Sequence, residues 1–490
     1  MLTKKQERLY FYMLFACYII CLFFASLSTS PIYPVYQGHD SSIFSLLGKG
    51  LTIGKELYID LFDHKGPIIF FINALGYYWG GRNSIFLIQL VFGTVSLYFL
   101  YRTANLLLDT QDKIWWKYLL IFIAGYSQFF YTFKQGNLTE EYSLPFISCS
   151  LYLFVKYSLN LTNTKKHPPL YALIYGVCIS VIAFLRLNNA VTIGVGILCI
   201  MLWLIYEKQY SNLFLNLLFG FLGVCIVAVP ILLYFHIHDS VYEMIYATFL
   251  HNFTIYQNTG HKPIIENIYK YFTYYFPLIV SIILIALHII KQRTVTFTTI
   301  LLSAIVVGNL FVLFIANRFE HYFVIFNPVF IVILAAYLQF NLQFNFKSIR
   351  VILVTLCTLI NLYYIAYVTL QALYAYYYID VIPLRNDRIA QELSYIPEDE
   401  KKSVIGFNIQ PDIYHIGNII PCYKYYTLQE TWSITNPQII IDFMEWVAES
   451  KPTWILITPN EDNTDILNIL EQSYELVRQT NDLVLYRIAE

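Results

Sequence analysis

Long apolar runs alternate with short polar turns along most of this chain, and the charged residues collect at the ends of the runs. Runs near 9–29, 83–108, 114–133, 140–158, 168–185, 190–206, 211–236, 271–290, 297–316, 322–340 and 351–376 each approach the ~20 residues that carry a helix across ~30 Å of hydrocarbon. The pattern predicts about eleven membrane spans, and they must be helices because an open chain in lipid has to satisfy its own backbone donors and acceptors. The run 67–79 is apolar but short, which predicts an interfacial or re-entrant helix that does not cross. The first run, Leu9 to Leu27, follows Lys4, Lys5 and Arg8 and lacks a small-residue cleavage pattern. It therefore reads as a retained signal anchor.

From about residue 380 the pattern becomes that of a soluble domain. Ser403 to Asn408 reads as a strand, Pro437 to Ser450 as an amphipathic helix and Trp454 to Thr458 as a buried strand. Helical residues near Asp465 to Gln472 and a last strand, Leu483 to Ile488, complete a small α/β unit. It has no glycine-rich phosphate loop and is given no chemistry. The expected architecture is an all-α polytopic membrane domain over 1–379, whose loop 30–66 carries the active site, followed by a soluble extracytoplasmic α/β domain over 380–490.

Composition agrees. Only 13% of the 490 residues are charged and 58% are hydrophobic, where soluble proteins carry about 25% charge. The net charge of -1 names no partner, and nucleic acid is not expected. Seven of the eight cysteines fall inside apolar runs, where they act as small hydrophobes. With the N-terminus inside, the inner loops hold Lys113, Lys117, Lys156, Lys165, Lys166, Lys208, Lys291, Arg293, Lys347 and Arg350, while the short outer loops hold fewer cations. That is the positive-inside pattern. It places Tyr36–Pro67, Lys134–Glu141, Arg186–Asn189, His236–Lys270, Asn317–His321 and the C-terminal domain on one outer face.

Ionisable residues close to a membrane are functional candidates by default, and Tyr36–Pro67 holds the densest set in the first half of the chain. Asp40 follows the first span closely, and the segment ends Tyr58-Ile-Asp60, then Asp63-His-Lys-Gly-Pro67. Asn137-Leu-Thr-Glu-Glu-Tyr-Ser-Leu-Pro145 and Asn317-Arg-Phe-Glu-His-Tyr322 precede two later spans. Together these motifs resemble the glycosyltransferase-C superfamily. The likeness is greatest to its polyprenyl-phosphate-sugar-dependent branch, which includes the lipid A aminoarabinose transferases and protein O-mannosyltransferases.

The resemblance implies that Asp40 is the catalytic base, taking the proton of an attacking hydroxyl or amine. It alternatively caps a membrane-surface helix. Lys65, Arg318, His321 and, as a weaker candidate, Arg186 are assigned to the donor phosphate, where fixed cations stabilise the charge that develops as the glycosidic bond breaks. Their alternative role is to meet lipid headgroups. Glu140 and Glu141 either orient the acceptor or complement a helix N-terminus. Asp60, Asp63 and His64 form a further acidic group in which a divalent cation stays open. Some relatives carry an acidic residue at the position of His64, no ligand spacing is recognised, and no metal is assigned. His236 and His238 read as interfacial rather than as a metal pair.

The implied function is an inverting transfer of one sugar from a polyprenyl-phosphate donor to a glycan, lipid or protein acceptor on the outer face of a bacterial cytoplasmic membrane. The competing readings are a lipid or glycan transporter or flippase, and a polymerase or ligase using diphosphate-linked glycans. The near absence of charge at mid-depth of the spans argues against transport.

Overall fold

A computed structural model describes residues 4–33, 38–108, 121–126, 129, 132–133, 135–161, 164–252, 268–293, 295–315, 319–337, 381–434 and 436–489, with positions 359, 363, 366 and 370. The membrane part is helical. It opens with α1 (Lys4–Ala25), α2 (His39–Thr52), α3 (Pro67–Trp79) and α4 (Arg82–Leu107), and continues with α5 (Thr139–Leu159) and α6 (Pro169–Arg186). After the 3₁₀ turn Leu187–Ala190 come α7 (Val191–Tyr206), α8 (Tyr210–Ile237), α9 (Ile268–Gln292), α10 (Phe297–Ile315) and α11 (Asn327–Tyr337).

Helices occupy the runs expected at 9–29, 83–108, 140–158, 168–185, 190–206, 211–236, 271–290 and 297–316. The runs 114–133 and 351–376 fall largely outside the described residues. Among the described residues, five segments are long and apolar enough to cross a membrane: Arg82–Leu107, Pro169–Tyr206, Tyr210–Ile237, Tyr275–Gln292 and Glu320–Tyr337. The count of eleven therefore remains the reading of the sequence. Pro169–Tyr206 is two helices, because Arg186 leaves helical geometry at φ -165°, ψ 117° and the chain turns there. The five do not include α5, which carries Glu140, Glu141 and several serines and is buried along most of its length. Such a helix lives inside the bundle, where polar side chains find partners.

The run 67–79 forms α3, started by Pro67 at its first position. Thirteen residues rise only about 20 Å, too little to cross ~30 Å of hydrocarbon. It packs beside α2 as a helical hairpin. Arg82, at the start of α4, donates to the carbonyls of Leu27, Ser28, Ser30 and Tyr33, tying down the chain just after α1. Helices α6 and α8 approach closely through glycine: a Cβ at Gly176 or Gly223 would come within 2.1 Å of a carbonyl oxygen of the facing helix.

The C-terminal residues begin with α12 (Val381–Leu393) and build a four-stranded sheet in the order β1-β2-β4-β3. Strands β1 (Val404–Phe407) and β2 (Trp454–Ile457) are parallel and wholly buried, as parallel strands covered on both faces are. Helices α13 (Gln438–Ser450) and α14 (Thr464–Ser473) accompany them. Strand β4 (Val484–Ile488) runs antiparallel to β2 and to the edge strand β3 (Tyr474–Gln479). This sheet is docked on α2. His415 Nε2 donates to the Ser42 carbonyl at 2.9 Å, the Phe62 amide donates to the Lys424 carbonyl at 3.0 Å, and the Phe62 ring packs edge-on against Tyr425 and Trp432. One apolar core runs continuously from α2 and α3 into the sheet.

Candidate active site

Asp40 lies in the first turn of α2, where a carboxylate complements the positive end of the helix dipole. A polar lattice beneath holds that helix. Asn137 adopts a left-handed φ of 58° that asparagine tolerates. Its amide donates to Ser41 Oγ at 3.0 Å and to Asn73 Oδ1 of α3 at 2.9 Å, and its carbonyl oxygen accepts from Tyr142 of α5 at 3.0 Å. The start of α2 is thereby fixed to α3 and α5.

The segment Asp63–Pro67 passes over the end of α6. The Gly66 amide donates to the Leu185 carbonyl at 3.1 Å, and a Cβ at Gly66 would come 2.0 Å from the Phe184 carbonyl oxygen, so the approach needs glycine. Asp63 Oδ1 accepts from the Lys65 amide at 2.9 Å and Tyr58 donates to the Lys65 carbonyl at 2.7 Å. Lys65 is thus held from both sides and is only 7% exposed. Its ammonium donates to His64 Nε2 at 2.8 Å and lies 5.9 Å from the centre of the Phe44 ring.

The structure brings four of the candidates together. His321 Nε2 is 3.8 Å from Asp40 Oδ2. Burial would raise the Asp40 carboxyl, but the charges of Lys65, then His321, His39 and Arg186, outweigh it and bring it down to about 2. The carboxylate still keeps 34% of its surface open to an approaching group. His64 is pushed well below the usual histidine range by burial and by Lys65, His251 and Arg186. It is therefore neutral, as its acceptance of the lysine proton requires. Asp63 is raised by burial, partly offset by Lys65.

Arg186 donates to Glu140 Oε1 at 2.8 Å and stacks 4.1 Å from the centre of the Tyr322 ring. The carboxylate is almost fully buried and the guanidinium partly so. Truncating one partner strands the other, which costs about 3–5 kcal/mol. Arg186→Met is expected to lower the unfolding midpoint in detergent, and adding Glu140→Gln to recover most of the loss. A single variant as stable as wild type would contradict this role. Beside Arg186, a crevice of about 30 Å³ is lined by His64, Gly66, Asn188, Thr248 and Asn252. It has room for one water-sized polar group, such as a single phosphate oxygen.

Two candidates turn elsewhere. Asp60 accepts from the Glu56 amide at 2.8 Å and pairs loosely with Lys55, so it closes its own turn. Glu141 accepts from Gln89 of α4 at 2.8 Å and from the Asn137 amide at 3.0 Å. It follows Glu140 directly, and successive helical residues point about 100° apart. Glu140 consequently reaches Arg186 while Glu141 faces α4. Arg318 lies outside the described residues. His238 bonds the Tyr234 carbonyl at 2.8 Å and His236 is exposed. Among the described residues no group of three His, Cys, Asp or Glu side chains converges on a metal position.

Sequence reasoning missed His39, which adds to the field on Asp40, and the pair His251 and Asn252. His251 lies beside His64 with ring centres 5.9 Å apart and the rings tilted, and the Asn252 amide donates to the His64 carbonyl at 2.9 Å. Both follow a π-helical turn at Tyr246–Leu250, a local irregularity without a periodic signature.

A family model described as the putative competence-induced protein Ccs4 N-terminal domain matches residues 3–364. No curated protein matches the chain by sequence. Among solved structures, ArnT from Cupriavidus metallidurans bound to undecaprenyl phosphate superposes with a TM-score of 0.63 at 10% identity, covering 97% of each chain. Its apo state gives 0.56 at 12% identity over the same shares. The oligosaccharyltransferase AglB from Archaeoglobus fulgidus, in complex with an inhibitory peptide and a dolichol-phosphate, gives 0.50 at 12% identity over 98% of this chain and 74% of that one. The fold is that of the glycosyltransferase-C superfamily.

Proposed function

Because this chain belongs to the family of the competence-induced Ccs4 N-terminal domain and has the glycosyltransferase-C fold, we propose that it is a membrane glycosyltransferase drawing on a polyprenyl-phosphate-linked sugar. The observation that carries the reading is one accessible carboxylate, Asp40, held ionised among Lys65, His321 and Arg186 at one end of the helix bundle. A carboxylate of this kind accepts the proton of an acceptor hydroxyl or amine as its lone pair forms the bond to the anomeric carbon. The bond from that carbon to the phosphate oxygen breaks in the same event, and the polyprenyl phosphate leaves with the electron pair.

In this reading Lys65 and Arg186 meet the phosphate charge, which is supported by their charges acting on Asp40 and by the His64 contact that holds the lysine ammonium. His321 and Arg318 complete the proposed cationic set. A site already rich in fixed cations needs no reorganisation as charge develops on the leaving group. ArnT was solved with undecaprenyl phosphate and AglB with dolichol-phosphate, which supports a lipid phosphate as the leaving group here.

The donor carries a single sugar and the transfer inverts the anomeric centre, since one base and no covalent intermediate imply a single displacement. The site faces the outer side of a bacterial cytoplasmic membrane, and the acceptor is a glycan, lipid or protein. The test is the anomeric configuration of the product, read by NMR after transfer from a donor of defined configuration. Inversion is expected. Retention, or transfer of an oligosaccharide from a diphosphate donor alone, would overturn the reading.

A further inference from the structure

A lysine ammonium offers three protons and no lone pair, on a flexible stem that gives it no fixed place of its own. Lys65 is held at its backbone by Asp63 Oδ1 and the Tyr58 hydroxyl, and at its tip by His64 Nε2. The contact at the tip sets a condition on the imidazole. Because the ammonium only donates, Nε2 at 2.8 Å must present a lone pair, and a neutral His64 then carries its proton on Nδ1.

Nδ1 faces Asp63. It lies 3.9 Å from Oδ2, while the other carboxylate oxygen accepts from the Lys65 amide. That distance is longer than a hydrogen bond, and among the described residues Nδ1 is buried with no hydrogen-bond partner. The contact is one of charge with dipole, and Asp63 is only 1% exposed, so water screens it little. The backbone beneath is fixed, since the His64 carbonyl accepts from the Asn252 amide at 2.9 Å.

The two tautomers of His64 are unequal in this setting. With the proton on Nδ1, the N–H is directed to a carboxylate and the lone pair to an ammonium. With the proton on Nε2, an N–H meets the ammonium and a lone pair meets the carboxylate, and both contacts are repulsive. Which ring nitrogen carries the proton follows from what the other one meets. We propose that Asp63 is a positioning residue that sets the tautomer of His64 and so holds the Lys65 ammonium in place, an inference that rests on the transferase function proposed above. Asp63 thereby acts on Lys65 twice, through the amide and by way of the imidazole. A held ammonium needs no reorganisation when charge develops on the leaving phosphate.

The tautomer is read by ¹⁵N NMR of the purified full-length protein in nanodiscs, labelled at histidine, with the His64 signals identified by their loss in His64→Gln. Nδ1 protonated and Nε2 bare is the expected spectrum. Asp63→Asn keeps an oxygen for the Lys65 amide but turns an amide N–H toward Nδ1, which should move the proton to Nε2. It is expected to lower kcat about tenfold, the worth of one charge-assisted hydrogen bond, with KM for the donor little changed. His64→Gln offers the ammonium a carbonyl oxygen with or without the Asp63 charge, so adding Asp63→Asn to it should cost no further kcat. The same loss in both backgrounds, a proton on Nε2 in the wild type, or a tautomer unmoved by Asp63→Asn in a folded protein would overturn the proposal. The spectrum needs no turnover. A protein that transfers no sugar yet shows both spectra as expected would support the tautomer control and overturn the transferase function alone.

Discussion

Asp40→Asn is expected to lower turnover by about 10²–10⁴-fold, the usual worth of a positioned base, while the protein stays folded and still binds polyprenyl phosphate. The substitution preserves shape and removes only basicity. The carboxyl is held near 2 by its cationic neighbours, and the base form of a carboxylate is lost as pH falls through its own value. No acid limb attributable to Asp40 should therefore appear in kcat/KM above about pH 3. A carboxylate this acidic is a weak base, and its basicity should rise once a donor phosphate engages Lys65 and Arg186 and reduces the field they exert. A variant with full turnover would end the assignment of Asp40 as base.

Lys65→Met should cost about 10²–10³-fold in kcat, the loss expected when one fixed group that stabilises developing charge is removed. It should also act on Asp40. Lys65 is the largest of the charges lowering that carboxyl, so its removal raises Asp40 and moves the acid limb upward. Methionine keeps an unbranched apolar stem beside Phe44, which separates lost charge from lost packing. If KM for the lipid donor rises while kcat and the pH profile stay as in wild type, Lys65 is an anchor for the headgroup and not part of the reacting site.

Most of this arrangement was legible from residue order, for a reason specific to membranes. Once the apolar runs are placed and the cations sorted by side, every outer loop is confined to one thin layer. Asp40 and Lys65 from one loop, with Arg186 and His321 from two others, had little freedom to lie far apart. Within that layer, direction decides, and direction is not in the loop sequence. Glu140 and Glu141 share a motif, but the helix sends one to Arg186 and the other to Gln89. Asp60 belongs to the motif and yet closes its own turn.

The C-terminal unit shows the same boundary between pattern and contact. Its buried strands β1 and β2 read clearly as apolar runs, and the half-buried β4 lies within the strand expected at Leu483 to Ile488. Strand β3, Tyr-Glu-Leu-Val-Arg-Gln, is exposed after its first residue and charged as edge strands are, so it carries no alternation to find. The docking of that sheet on α2 through His415 and Ser42 leaves no trace in composition. It places the soluble domain over the helix that bears Asp40.

The most direct test of the account is turnover by the purified protein in lipid, supplied with a panel of radiolabelled polyprenyl-phosphate sugars and an envelope extract as acceptor. Release of polyprenyl phosphate from at least one donor is expected, matched by label in the acceptor and abolished by Asp40→Asn. Release from no donor by a folded sample, or release that persists in Asp40→Asn, would contradict it.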